Sequence, residues 1–429
     1  MSITRRELFG IPLAFAFAGM SNTGRSEEKK KIAVVITAYY PVSHADGIVG
    51  RLLDGYYYNG KHYDPRVQVV SMYVDQFPDN DMSRDKAAEH GIKIFSSIRE
   101  ALTMGDRDLA VDGVVLIGEH GNYPWNEKGQ HLYPRYNFYK QIIEVFRESG
   151  RAVPVFTDKH LSYDWDEAKW MYDQAHGLNF PLMAGSSLPL TWRFPPLELE
   201  FGIPVKKVVA LWYGGKESYG FHALEMLQCM VERRKGGETG IASVRCLEGL
   251  QVWEWTDANP WAERLLERSL ACCPDRKSGS LRDNVKEPIL FLLEYDDGLQ
   301  AALYRLNGHL GTWAFAADIN GNNESVSTQF WVRSGRYLHS QFSGLVFFIE
   351  QMMLTGQTSY QVERTLLTTG ALAALMKSSF QDGRLIEKGC IVKTPYLTIP
   401  YRAPEKSLFT REEVTDWEKV RSAVKRTSG

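Results

Sequence analysis

The 429 residues carry 50 lysines and arginines against 52 aspartates and glutamates, a formal charge of −2. That balance gives no basic footprint for nucleic acid and no attraction to an anionic membrane surface. The length exceeds one ordinary core, so two domains are expected. The five cysteines (Cys229, Cys246, Cys272, Cys273 and Cys390) have no C-x-x-C or zinc-ribbon spacing. Their odd number predicts stability from packing rather than disulfides.

Thr4-Arg5-Arg6-Glu7-Leu8-Phe9 is a twin-arginine pattern, and the apolar run Ile11–Ala18 follows it. Ala16-Phe17-Ala18 supplies a small-residue cleavage site. A bilayer span needs about 20 apolar residues, so this run predicts no stable membrane insertion. Residues 1–30 are therefore expected to be a signal and tether that send a periplasmic or secreted protein through the twin-arginine route.

From residue 31 onward, buried strands alternate with helices. Strands are predicted at Lys31–Ile36, Val67–Val74, Lys93–Phe95, Gly113–Ile117 and Val153–Phe156. Helices are predicted near Ala45–Gly55, Ser83–His90, Ser97–Met104, Tyr136–Glu148 and Trp165–His176. The alternation implies an α/β, Rossmann-like parallel sheet with right-handed crossovers over residues 31–190. Strand-like runs at Val205–Trp212, Ile241–Cys246, Ile289–Glu294, Leu299–Leu306 and Trp313–Asp318 predict an α+β domain over 191–404. Its sheet is expected to be open and mostly antiparallel, with a hairpin at Asp296-Asp297-Gly298. The apolar helices Phe342–Leu354 and Leu366–Met376 would cover one face or return toward the first domain, and the other face is free to pair in a homo-oligomer. Over 405–429 a charged helix is expected, opened by the capping box Thr410-Arg411-Glu412-Glu413 and carrying Trp417 and Val420 on one side.

The first strand leads into Thr37, Ala38, Tyr39, Tyr40, Pro41 and Val42, where dinucleotide-binding folds place G-x-G-x-x-G. Those glycines permit the tight turn and the close approach of a pyrophosphate to backbone N–H groups. Two tyrosines and a proline take their place here.

Other landmarks fall in a recognisable order. The second strand ends at Asp75, and Glu89-His90-Gly91-Ile92 follows a helix. Val111-Asp112-Gly113-Val114-Val115-Leu116-Ile117 is similar to a D-x-V-x-I strand. Thr157-Asp158-Lys159-His160-Leu161 stands at an E-K-P position, and Ser218-Tyr219-Gly220-Phe221-His222 at a D-x-G-x-H position. In this order the chain resembles the glucose–fructose oxidoreductase/inositol dehydrogenase/rhizopine-catabolism family, Gfo/Idh/MocA, over about residues 31–404. The resemblance implies a bound NAD or NADP, a small carbohydrate substrate, Lys159 as the catalytic lysine on the substrate oxygen, and His222 as general acid/base. Asp158 and His160 replace the motif's glutamate and proline, and Ser218 replaces the aspartate four before the histidine.

Ligands of open α/β sheets bind outside the carboxyl ends of the strands. There the first strand delivers Tyr39, Tyr40 and His44, the fourth delivers Glu119 and His120, and the fifth delivers Asp158, Lys159 and His160. Thr37, Ala38, Tyr39, Tyr40, His44, Asp75, Glu119 and His120 are the expected cofactor contacts, with Asp75 on a ribose hydroxyl. Tyr123, His131, Arg135, His160 and Arg193 are the expected substrate contacts, beside catalytic Asp158, Lys159 and His222. A metal is the other occupant compatible with His120, Asp158 and His160, joined by Glu119 or His131. No H-x-x-x-H or H-E-x-x-H spacing marks such a site. The leading expectation is an oxidoreductase that moves hydride between a tightly held nicotinamide and a carbohydrate or polyol. The alternatives are a lyase, hydratase or epimerase on a keto-sugar, and a silent sugar-binding protein.

Overall fold

The computed structural model describes residues 28–320, 324–332, 341–387 and 397–409. The twin-arginine segment, Cys390 and the terminal capping box lie outside the described residues.

The first unit runs β1 (Lys30–Ala38), α1 (His44–Asp54), β2 (Tyr56–Tyr58), β3 (Lys61–Tyr63), β4 (Val67–Gln76), α2 (Ser83–Glu89), β5 (Lys93–Phe95), α3 (Ile98–Thr103), β6 (Gly113–Ile117), α4 (Arg135–Glu148), β7 (Val155–Asp158), α5 (Trp165–Gly177) and β8 (Leu182–Gly185). Six of these strands form a sheet in the order β5-β4-β1-β6-β7-β8, with every pairing parallel. Ile32 to Ile36 are wholly buried, as a central strand covered on both faces requires. β7 begins two residues later than the sequence suggests, after Pro154, which has no N–H for the ladder. The Tyr56–Tyr63 stretch in the first crossover is a small antiparallel hairpin.

The second unit continues with β9 (Arg193–Phe194), β10 (Val205–Trp212), α6 (Ser218–Val231), β11 (Ile241–Glu248), α7 (Leu250–Asp257), α8 (Pro260–Leu270), α9 (Leu281–Asn284), β12 (Ile289–Tyr295), β13 (Gln300–Arg305), β14 (Trp313–Ile319), β15 (Glu324–Phe330), α10 (Gln341–Thr355), α11 (Glu363–Phe380) and β16 (Ile386–Glu387). Its eight-stranded sheet has the order β16-β11-β12-β13-β10-β14-β15-β9. β10 pairs parallel with β13, and the other pairings are antiparallel. α6 and α11 pack one face through Phe221, Leu224, Leu367 and Leu375. The face expected to stay free for a second subunit is in part packed by α7 and α8, through Val252, Trp253, Leu265 and Leu266.

α10 returns to the first sheet beside α1, where Phe342, Leu345 and Ile349 join its core. Glu350 on α10 is fully buried; it accepts from Tyr56 Oη at 2.6 Å and from Arg66 Nε at 2.8 Å. In the second unit the Arg364 guanidinium grips both oxygens of Glu232, which also accepts from Tyr401 Oη at 2.6 Å. Each buried carboxylate is therefore met by several donors, the condition under which a buried charge is tolerated.

Candidate active site

The tips of β1, β6 and β7 meet the start of α6 and of β14 around a cleft of about 480 Å³. Three non-glycine residues at those tips have left-handed backbones: Val42 (φ 71°), His120 (φ 72°) and Lys159 (φ 69°). This conformation is costly, above all for β-branched Val42, and strain of this kind collects at functional sites. Lys159 is held there by its N–H, which donates to Gly185 O at 3.2 Å. Gly185 is itself at φ 117°, and a Cβ on it would stand 2.6 Å from Glu225 Oε2.

Lys159 Nζ lies 3.4 Å from Glu119 Oε1 and 3.4 Å from Ser218 O. Arg135, from the first turn of α4, donates to Glu119 Oε2 at 2.6 Å, and its other arm reaches His160 Nε2 at 3.1 Å. His160 Nε2 is also 3.1 Å from Glu217 Oε1, just before α6. Burial would raise the pKa of Glu119, but Lys159 and Arg135 outweigh it and hold the carboxyl well below its ordinary range. Glu119 is thus a fixed anion that anchors the lysine.

His44 Nδ1 lies 2.6 Å from Asp158 Oδ2, and His222 Nδ1 shares a 2.6 Å hydrogen bond with Ser186 Oγ. Burial, then Lys159 and His44, push the His222 pKa well below the usual imidazole value. Burial pushes His120 down to about 4, with His44 adding to the effect. The far wall is aromatic: Tyr219 and Trp313 stack 5.8 Å apart at 9°, with Tyr213 beside them. Across the cleft Trp125 stacks on His131 at 4.2 Å.

His44, Glu119, His120, His131, Lys159 and His222 all line the cleft, and Asp158 reaches it through His44. Arg135 and His160 are buried behind Glu119 rather than open to a substrate. Arg193 is buried elsewhere, donating to Pro189 O and packed on Phe330 and Phe409. Thr37 donates to Glu119 O at 2.7 Å, a support role, and Ala38 and Tyr39 are core. Asp75 is occupied by Tyr73 Oη at 2.8 Å and Tyr123 Oη at 2.6 Å, which takes Tyr123 out of the substrate group. The aromatic wall and Glu217 were missed because they come from separate elements with no shared spacing.

The first turn, where a dinucleotide would lie, is bonded largely to itself. Tyr40 N–H donates to Ser43 Oγ at 3.3 Å, Pro41 has no N–H, and Val42 N–H donates to Asp46 Oδ2 at 2.9 Å. The N–H groups of Asp46 and Gly47 are taken by Ser43. The Asp46 carboxylate also brings negative charge to the helix end where a phosphate would rest. Met82 N–H donates to Tyr39 O at 2.8 Å, tying down the segment after β4. Gln76 exchanges two hydrogen bonds with the Asn122 backbone, joining the tips of β4 and β6 past β1. Tyr40, Val42, Asp46 and Gly47 thus spend their N–H groups inside the turn, and no glycine there opens a cradle of the G-x-G-x-x-G kind. For a metal, three donor atoms within 4.8 Å occur among the described residues only at exposed Asp54, Glu89 and His90, away from the cleft.

A parallel-sheet domain joined to an open mixed sheet, with the site between strand tips and α6, defines a class: the chain has the fold of the Gfo/Idh/MocA-type dehydrogenases. Among solved structures it is similar to GenD2 from gentamicin A biosynthesis, in complex with NAD (15% identity, 85% of this chain and 98% of that one, TM-score 0.54). It is also similar to the myo-inositol dehydrogenase of Lactobacillus casei in complex with NAD(H) and myo-inositol (10% identity, 86% and 100%, TM-score 0.53). A third is the myo-inositol dehydrogenase of Corynebacterium glutamicum (13% identity, 84% and 98%, TM-score 0.50). No protein-family profile and no curated protein sequence matches the chain.

Proposed function

We propose that the protein is an enzyme that moves protons on a carbohydrate or polyol held in this cleft, as a lyase, hydratase or epimerase does. The observation that carries this reading is the open acid–base cleft beside a first turn that lacks the glycine motif and whose Tyr40, Val42, Ser43, Asp46 and Gly47 N–H groups are engaged within the turn. Lys159, fixed by Glu119, faces the substrate's carbonyl oxygen and stabilises charge that develops there. The neutral His222 imidazole hydrogen-bonds a neighbouring hydroxyl. The Tyr219–Trp313 plane takes the apolar face of a sugar ring, and the exposed Trp125 covers the mouth.

A second reading, hydride transfer with NAD or NADP, is favoured by the fold shared with two NAD complexes. One experiment separates the two. The folded full chain is denatured, released nucleotides are identified by mass spectrometry, and the native protein is titrated with NAD and NADP. No released nucleotide and no binding are expected. Stoichiometric NAD or NADP would restore the oxidoreductase reading and sink the proton-transfer one.

The enzyme is proposed to be exported, on the strength of the twin-arginine pattern. Replacing Arg5 and Arg6 by lysine together is expected to leave the protein in the cytoplasmic fraction. An unchanged distribution would refute export by this route.

A further inference from the structure

We propose that His44, oriented by Asp158, is the general base of this cleft, the role that the resemblance assigns to His222. The inference rests on the proton-transfer reading above and names the group that takes the proton.

Asp158 is the last residue of β7 and only 1% exposed, with Oδ2 2.6 Å from His44 Nδ1. A carboxylate in that position fixes the tautomer that carries its proton on Nδ1, leaves the Nε2 lone pair free, and stabilises the imidazolium formed on proton uptake. His44 is the first residue of α1, capped by Ser43, so a helix end sets its backbone. Three rings fix its plane: Phe342 at 5.0 Å, His120 at 5.3 Å and His222 at 6.2 Å. With Nδ1 engaged, the ring nitrogen left for a ligand in the cleft is Nε2.

The other imidazoles are less suited. His222 leans on a serine hydroxyl, and Lys159 is among the groups opposing its protonation. His120 has an unpartnered Nε2 and no carboxylate hydrogen bond, and its conjugate acid is a strong one. His160 has Glu217 beside it but lies behind Glu119, held by Arg135. The groups around His44 are Asp158 from β7, Glu119 and His120 from the β6 tip, Lys159, and His222 from α6. Asp158 and Glu119 are the carboxylates of this group, and Lys159 is its ammonium.

The step balances within the protein. His44 Nε2 takes the proton from the carbon next to the substrate carbonyl. The C–H pair becomes the C=C bond of an enediolate, and the carbonyl π pair moves onto oxygen, where the Lys159 ammonium faces it. Return of the proton from His44 to the same carbon gives exchange; return to the former carbonyl carbon, as the neighbouring hydroxyl proton passes to the oxyanion, gives isomerisation, in both cases without an oxidant. His44 and Asp158 reach this geometry from segments 114 residues apart, which is why no local motif marks them.

Two measurements on the full chain test it. In the first, D-fructose, L-sorbose and D-tagatose are incubated with enzyme in D₂O, and deuterium entry next to the carbonyl is followed by NMR. The wild type is expected to exchange at least one ketose. His44→Gln and Asp158→Asn are each expected to lose roughly 10²- to 10⁴-fold. If Lys159→Met abolishes exchange while His44→Gln keeps it, the cleft reading stands and the base assignment is overturned. If the wild type exchanges none of them, the keto-sugar reading fails. In the second, ¹⁵N-histidine NMR at neutral pH is expected to show His44 protonated on Nδ1, a signal removed in His44→Gln and displaced in Asp158→Asn. A His44 proton on Nε2 instead overturns the dyad whatever the substrate.

Discussion

Replacing Lys159 with methionine is expected to lower turnover about 10²- to 10³-fold while the protein still folds. The side chain is buried at the junction of both domains, and its ammonium is the cation placed to meet an oxyanion in the cleft. Methionine keeps the length and apolar stem, and it incurs the same left-handed backbone cost that the Gly185 bridge already imposes. Glu119 is not orphaned by the change, because Arg135 still donates to it at 2.6 Å. The stability cost is therefore that of one weakened charged hydrogen bond, roughly 1–3 kcal/mol. Turnover of a responsive ketose and a thermal melt check both halves. Turnover within threefold of wild type would remove Lys159 from the chemistry. Loss of folding would mean that the lysine, and not the arginine, holds Glu119.

How far the sequence could carry this reading depended on the range of each interaction. β1 and β6 were legible because a strand buried on both faces is an uninterrupted apolar run, and β4 from its valines, although Gln68 on it is exposed. The hairpin at Asp296-Asp297-Gly298 was legible because its turn chemistry is local. Lys159 and His222 were singled out through the resemblance, and both line the cleft. Arg135 was read as a substrate contact because it follows the β6 tip. Only the fold shows it turned inward, sixteen residues from the Glu119 it neutralises. Asp75 stands at the right strand end for a ribose, but Tyr123 from the neighbouring loop has taken its carboxylate. The lost glycines announced an altered turn. That Asp46 and Ser43 take four of its N–H groups depends on one helical turn of geometry, which composition does not reveal. α7 and α8 were missed although Leu265, Leu266 and Leu270 keep helical spacing, because the strands on either side dominated the pattern.

The protein is expected to lose stability steeply as pH falls from 6.5 toward 4, and the cause lies in the same cleft. His120, His160 and His222 all have folded pKa values below the ordinary 6.5, each with burial as its largest cause. Between their folded values and 6.5 the unfolded chain binds protons that the folded chain refuses, so stability rises with pH across that window. For His120, lowered to about 4 from 6.5, the full linkage is worth about 3 kcal/mol. Glu119 does not contribute there. Its carboxyl is held well below 4.5, so what it adds is complete above 4.5 and is lost only as pH falls below that value. Buried Glu225 acts with the opposite sign: burial raises its pKa, so acidification relieves rather than adds a cost. His309 is lowered as well and half-buried Glu167 raised, so four histidines against two carboxyls leave a net loss on the acid side. Thermal melts at pH 7.5 and pH 5 are expected to differ by several degrees, and His120→Gln to reduce that difference. A flat profile across this range would mean that these imidazoles are charged in the folded protein. His222 could then hold a proton taken from substrate, and the case for His44 as the base would weaken with it.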